Sequence, residues 1–283
     1  MNLRYSQYSV VMIFCCLMLF GLASGAVCQA EDGGRLWLRY DLLPAHLQQL
    51  YRTRVTSIVV PGDSATLQAV RNELTQGCSG LLSQRVAAAT TITQGAVVAG
   101  TAQNSSLIAR LNWPLTALGP EGFRLQSTTI NGRAVTVIAA NTEAGVLYGA
   151  FYFLLLLQTG QPITKLDVTQ KPRLQLRMLN HWDNLNGTIE RGYAGRSLWK
   201  WEELPDKIDP RLQEYARANA SIGINATALN NVNANARSLS AEYLKKAAAI
   251  ADVFRPYGLR VFLSARFSAP MELGGLKTAD PFD

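Results

Sequence analysis

Histidine, cysteine and charge are all scarce in this sequence, and each scarcity closes a route. Only two of the 283 residues are histidines, His46 and His181, so a histidine-rich metal centre cannot be assembled. Of the four cysteines, Cys15, Cys16 and Cys28 all lie near the start. If that stretch is removed, Cys78 stands alone, and one thiol makes neither an internal disulfide nor a metal cluster. Its neighbours Thr75, Gln76, Gly77 and Ser79 read as a helix end, so Cys78 is expected to be a buried structural residue rather than an activated nucleophile. Charged residues make up 17% against 48% hydrophobic, the balance of a globular chain and not a disordered one. The formal charge of +7 is spread over both halves without a dense Lys/Arg run, and no nucleic-acid-binding motif is present. An acidic small ligand fits scattered cations just as well. No glycine-rich phosphate turn follows the strands discussed below, and no cofactor is expected.

What is present begins with a processing signal over residues 1–30. Arg4 supplies the positive end, Val10 to Leu22 form an apolar run, and small residues lead to Cys28-Gln29-Ala30 before Glu31-Asp32. The run is shorter than the ~20 residues of a spanning helix. Cleavage after Ala30 is expected, with Ala26 as second choice. Val27 sits where a lipoprotein signal would want a small residue before Cys28, so export to the periplasm or medium is preferred over a lipid anchor.

The length allows two domains. Residues 31–165 alternate strand and helix signals. Leu36, Leu38 and Tyr40 alternate with Trp37 and Arg39 as a strand would. Val55 to Val60 is a β-branched run ending at Pro61-Gly62-Asp63, after which Asp63 or Ser64 can cap a helix over 65–82. Ala96 to Ala99 read as a strand. Thr129-Ile130-Asn131-Gly132, between two alternating runs, predicts a hairpin because Asn-Gly tolerates positive φ. Thr142 caps a helix through Leu157. The first domain is therefore expected to be an α/β sandwich.

Gln161 to Pro172, with proline near both ends, reads as a linker, and 166–283 form the second region. There Leu174 to Leu179, Ile224 to Leu229 and Leu259 to Leu263 read as strands, separated by helices opening at Pro210 and Ser240. Each strand runs into polar and aromatic residues: His181-Trp182-Asp183-Asn184, then Asn230, Asn231 and Asn233, then Ser264, Arg266 and Ser268. In a (β/α)₈ barrel those ends form the active-site rim. A doubly wound sheet has the same rhythm but carries a glycine-rich first turn, so the start of a TIM barrel, about three strands of it, is the preferred reading.

At these segments the sequence resembles glycoside hydrolase family 67, the α-glucuronidases. The strings that carry the likeness are Glu31 to Tyr40, Arg177 to Asn184, Glu190 to Leu198, Asn219 to Asn225, Asn230 to Ala234 and Pro270 to Pro281. The resemblance implies removal of α-1,2-linked glucuronic acid or its 4-O-methyl ether from xylan oligosaccharides, with inversion. It also implies a helical C-terminal domain supporting a homodimer in full-length members, and catalytic carboxylates on later barrel strands, beyond Asp283.

Trp182 offers a flat apolar face and an N–H donor at the rim, a surface suited to a sugar. The family's matching tryptophan lines the glucuronate pocket, and a valine matching Val232 touches the apolar side of the uronic acid. Asp183 and Glu190 are secondary candidates. Inverting glycosidases need two carboxylates ~6.5–9.5 Å apart, and spacing alone does not exclude this pair. Family placement assigns them instead to ordering the loop or hydrogen-bonding ligand. Arg191, Arg196 and Arg266 suit bidentate pairing with a uronate carboxylate, and His181 reads as a hydrogen-bonded structural histidine. Asp280 and Asp283 read as capping or turn residues. Two other readings stay open: another exo-glycosidase with a hexosaminidase-like N-terminal domain, and a non-catalytic glycan-binding module.

Overall fold

The computed structural model describes residues 35–277. The processing signal expected over residues 1–30, the opening string Glu31 to Gly34 and the terminal Asp280 and Asp283 lie outside the described residues.

Capping chemistry and a single tight turn set out the first half. Pro44 precedes α1 (Ala45–Arg52), a short polar helix absent from the sequence reading. After β1 (Ser57–Val59), Ser64 accepts the Leu67 N–H at 3.2 Å and starts α2 (Ala65–Leu82). Two further parallel strands follow, β2 (Ala87–Ala88) and β3 (Ala96–Thr101), then a one-turn helix α3 (Ser106–Leu111). The hairpin of β4 (Phe123–Ile130) and β5 (Arg133–Ala140) turns at Asn131 and Gly132, with φ of 51° and 75°. Thr142 caps α4 (Glu143–Gln158), which is apolar on nearly every side because both the sheet and α2 cover it. Gly149 lets α4 sit close on the sheet, since a Cβ there would lie 2.5 Å from the Ile138 Cγ2.

With β6 (Asp167–Gln170), these strands make one six-stranded sheet in the order β2-β1-β3-β5-β4-β6, parallel except at β4. One apolar cluster lies between this sheet and its helices and continues into the second half of the chain; a smaller one, around Val98, Ile108 and Val137, fills the opposite face. Two expectations are corrected. Residues 35–39 are turns, not a strand: Leu36 and Tyr40 hold φ of 51° and 55°, and the alternation reflects Leu38 and Tyr40 turning inward separately. Part of the 161–172 connector is β6 (Asp167–Gln170), pairing antiparallel with β4 along the sheet edge.

The second half is a β/α repeat. β7 (Met178–Asn180), β8 (Ala226–Ala228) and β9 (Arg260–Phe262) are parallel and adjacent in chain order. Between them run α5 (Pro210–Ser221) and α6 (Ala241–Phe254); α7 (Ala269–Gly274) comes last. The first strand is shorter than the apolar run suggested. Leu174 and Leu176 stay outside the ladder, and the Arg177 N–H is taken by the Asn225 side chain at 2.9 Å.

Two polar clamps join the halves. Arg217 on α5 grips both oxygens of Glu73 on α2, at 2.8 and 2.7 Å, and Tyr40 donates to the same carboxylate. Glu121, just before β4, pairs with Arg177 and accepts from the Asn225 Nδ2 at 2.8 Å, tying the entry ends of β7 and β8 to the first sheet. These clamps fix which end of the parallel strands is free.

Candidate functional site

The free end is the C-terminal one, and hydrogen bonds lace its three strand exits together. His181 N–H donates to the Ala228 carbonyl at 3.1 Å, extending the β7–β8 ladder by one step. The Asn231 N–H then donates to the Asp183 carbonyl at 2.9 Å, crossing from the second exit to the first. Asn230 does the same towards β9. Its Oδ1 accepts from the Ser264 N–H at 2.8 Å and its Nδ2 donates to the Ser264 carbonyl at 2.9 Å. Such reciprocal side-chain bonds satisfy buried main-chain groups where the ladder has ended.

Trp182 and Val232 flank the Asp183–Asn231 bond, one residue before it and one after it. Both are half-exposed, at 44% and 47%. Val232 tops a tight turn in which Asn231 Oδ1 accepts from the Asn233 N–H at 2.8 Å. Two apolar side chains thus stand on neighbouring exits of one rim.

The loop leaving β7 is closed on itself. Asp183 pairs with Ile189 and Thr188 with Arg196 as antiparallel bridges, and Ser197 N–H reaches the Gly187 carbonyl at 2.9 Å. Asn184 Nδ2 donates to Thr188 Oγ1 at 3.0 Å and to the Glu190 carbonyl at 2.7 Å. Asp183 itself is 1% exposed, and Ser197 Oγ donates to its Oδ2. Its other oxygen faces the His181 Nδ1 at 3.7 Å, beyond hydrogen-bond length. Oδ2 is thus committed to ordering the loop, while Oδ1 is buried without a hydrogen-bond partner.

Beneath the rim lies an aromatic floor. Trp199 is fully buried, donates Nε1–H to the Leu229 carbonyl at 2.9 Å, and meets the rings of His181, Tyr215 and Phe254 at 5.0, 5.4 and 6.1 Å. His181 Nε2 and the Tyr215 hydroxyl are 2.7 Å apart, and that hydroxyl lies 3.0 Å from Thr227 Oγ1. Burial raises the Tyr215 phenol pKa. His181 is a hydrogen-bonded part of this floor.

The remaining candidates scatter. Glu190 keeps φ at 53°, with its N–H on the Trp182 carbonyl at 2.8 Å. Arg191 and Arg196 are exposed, and Arg266 pairs with Glu272 at 3.4 Å. Cys78 is buried in α2 and burial pushes its thiol pKa up, as a structural cysteine requires. Among the described residues no group of three His, Cys, Asp or Glu is placed to hold a metal, and no helix is long and apolar enough to cross a membrane. Ser197 and Trp199, which organise the rim, were not singled out by the sequence, and Asn231 was read only as a polar residue at a strand end; their partners are distant along the chain.

Chemically, this rim presents an indole and an aliphatic side chain on adjacent strand exits. Two family models match the chain: the glycosyl hydrolase family 67 N-terminus over residues 36–153, and the glycosyl hydrolase family 67 middle domain over residues 156–283. The chain is 35% identical to "Alpha-glucuronidase A" of Emericella nidulans, the match covering 92% of this chain and 31% of that protein. It is 34% identical to "Probable alpha-glucuronidase A" of Neosartorya fischeri, covering 98% of this chain and 32% of that one. The chain therefore spans about a third of the length of the curated relatives it matches. Among solved structures, a GH138 enzyme targeting pectin rhamnogalacturonan II superposes with a TM-score of 0.50 at 17% identity, over 78% of this chain and 26% of that one, a likeness of fold.

Proposed function

The chain belongs to glycoside hydrolase family 67, and we propose that the protein carrying it is an exported α-glucuronidase acting on glucuronoxylan-derived oligosaccharides. It removes α-1,2-linked glucuronic acid or its 4-O-methyl ether, with inversion. Residues 31–165 are its α/β domain, and residues 166–283 open a (β/α)₈ barrel whose rim is the face described above. In this reading Trp182 and Val232 form one wall of the uronate subsite. The acid and base carboxylates belong to the length of the relatives that this chain does not span, and a homodimer is a property of the full-length protein.

One observation carries the reading: the Asp183–Asn231 main-chain bond sets an indole and an aliphatic side chain on adjacent exits of a parallel sheet. An indole face stacks on ring C–H groups while its N–H reaches a hydroxyl, and a valine beside it suits a methyl ether. Asp183 is not the base in this scheme, because a buried carboxylate held by Ser197 cannot reach a water beside a sugar.

The test is to incubate the protein carrying residues 1–283 with aldouronic acids and follow free uronic acid by anion-exchange chromatography, with the first-formed anomer read by NMR. Release of uronic acid as the β-anomer is expected. Saturable binding with no release would replace this reading with that of a glycan-binding module, and release of the α-anomer would remove inversion from it.

A further inference from the structure

The first sheet carries a pocket that the uronate reading leaves unused. On β4 and β5 the face bearing Leu125 opposite Ile138 runs on towards the hairpin as Ser127 opposite Thr136 and Thr129 opposite Ala134. The apolar part of this face is core, whereas its hydroxyl part lines a cavity of about 370 Å³. Thr53 and Arg54, at the end of α1, line it from one segment, and Ile163 and Thr164, beyond α4, from another. Its volume falls within the range of small-molecule sites, about 300–1,000 Å³.

The lining is held in place by its own hydrogen bonds. Ser127 Oγ donates to the Ile163 carbonyl and accepts the Leu166 N–H, both at 3.0 Å. Tyr51 anchors both flanking segments: its carbonyl accepts the Arg54 N–H at 2.8 Å, and its hydroxyl donates to the Gln161 carbonyl at 2.7 Å. Other groups of the lining are left unpaired. Thr136 is only 4% exposed, yet its hydroxyl has no hydrogen-bond partner among the described residues. A buried hydroxyl in that state calls for a partner from outside the chain. The Thr129 and Thr164 hydroxyls also lack partners there, and the Arg54 guanidinium makes no ion pair among the described residues. No acidic residue lines the cavity.

We infer that this cavity is a second ligand site, which takes a small carboxylate bearing several hydroxyls, the chemistry of a sugar acid. The unpaired hydroxyls of the lining exchange hydrogen bonds with those of the ligand, and the arginine fork pairs with its carboxylate. A cation with no acidic neighbour favours an anion over a neutral sugar. A cavity of this size, lined by several hydroxyls, suits a polyol better than a compact inorganic anion. The site shares no residue with the Trp182–Val232 rim, so it stands whether or not that rim holds a uronate.

Calorimetric titration of D-gluconate into the protein carrying residues 1–283 tests the site, with inorganic phosphate and xylose as controls for charge and for hydroxyls alone. Gluconate should bind saturably, about tenfold or more tighter than either control. Arg54→Gln should weaken it about tenfold, the scale of one charge-assisted hydrogen bond. Thr136→Val keeps the shape and removes the hydroxyl, so gluconate should weaken about threefold. The thermal midpoint of Thr136→Val should stay or rise, because the fold gives that hydroxyl no partner. Trp182→Ala should leave gluconate binding unchanged. Retardation in a glucuronoxylan gel, run in the Trp182→Ala background, separates the sources of such an acid. Retardation that Arg54→Gln abolishes assigns the site to uronosyl groups on the glycan; gluconate binding without retardation assigns it to free sugar acids. No saturable gluconate binding overturns the site, as does equal affinity for phosphate or wild-type affinity in both Arg54→Gln and Thr136→Val. Loss in Trp182→Ala also overturns it and moves the acid to the rim, leaving the uronidase reading intact.

Discussion

Arg217 holds both carboxylate oxygens of Glu73, at 2.8 and 2.7 Å, across 144 residues of chain. The pair is nearly dry, with side-chain exposures of 11% and 6%, and Tyr40 completes the carboxylate's partners. Burial first, and the charge of Glu73 second, hold the Tyr40 phenol far above its ordinary pKa. Removing one member strands the other charge, which costs about 3–5 kcal/mol in buried pairs. Arg217→Ala and Glu73→Ala should each lower stability by that order in urea unfolding. The double variant should cost much less than the sum, because neither charge is then left unpaired. Additive losses would show that the two residues act independently.

Asp209 gives a pH dependence of known sign. It caps α5, accepting the Arg211 N–H at 2.9 Å, and Lys200 Nζ lies 2.7 Å from its other oxygen. Lys200, and after it the Arg211 N–H, lower the carboxyl pKa. A folded pKa below the unfolded one means that the stabilisation is complete above the unfolded carboxylate range. It is lost as pH falls through the lowered value. Asp209→Ala should therefore cost about 0.5–2 kcal/mol at neutral pH, the range for a lost cap. The gap should shrink by about pH 3, below the ordinary carboxylate value. A gap that is the same at both pH values in urea titrations would contradict the assignment.

The edges of the second sheet are the weak surfaces of the described chain. Met178 and Leu179 on β7 and Phe262 on β9 are 42%, 38% and 40% exposed, and Leu174 is 69% exposed. Unpaired strand edges with apolar side chains are templates for association. A polypeptide of residues 31–283 expressed alone should bind the dye ANS and sediment as more than a monomer. It should also release no uronic acid. A monodisperse monomer indifferent to ANS would show that these edges are not sticky.

Much of this architecture was legible because it is local. Asn131-Gly132 dictates its hairpin from two residues, and Ser64, Thr142 and Ser240 each accept an N–H of the first turn they precede. The parallel strands were readable as apolar runs, although their ends were not. Tyr40 was misread as part of a strand because inward-facing residues of a turn mimic alternation when α2 and Arg217 surround them. The β6 edge strand hid behind Pro162 and Pro172, since pairing with β4 depends on a hairpin distant in sequence. At the rim, Trp182 was visible as an aromatic after a strand, but Val232 stood out only through family resemblance. The bonds that bring them together, Asn231 to Asp183 and Ser197 to Asp183, join segments that no sequence period connects.

The claim on which the rest depends is that the Trp182–Val232 face holds the uronic acid. Isothermal titration of 4-O-methylglucuronic acid into the protein carrying residues 1–283 tests it directly, beside Trp182→Ala and Val232→Ala. Trp182→Ala should weaken binding about tenfold, equivalent to ~1.4 kcal/mol, with a smaller loss for Val232→Ala and an unchanged thermal midpoint. Wild-type affinity in Trp182→Ala would contradict the account and move the sugar away from this rim.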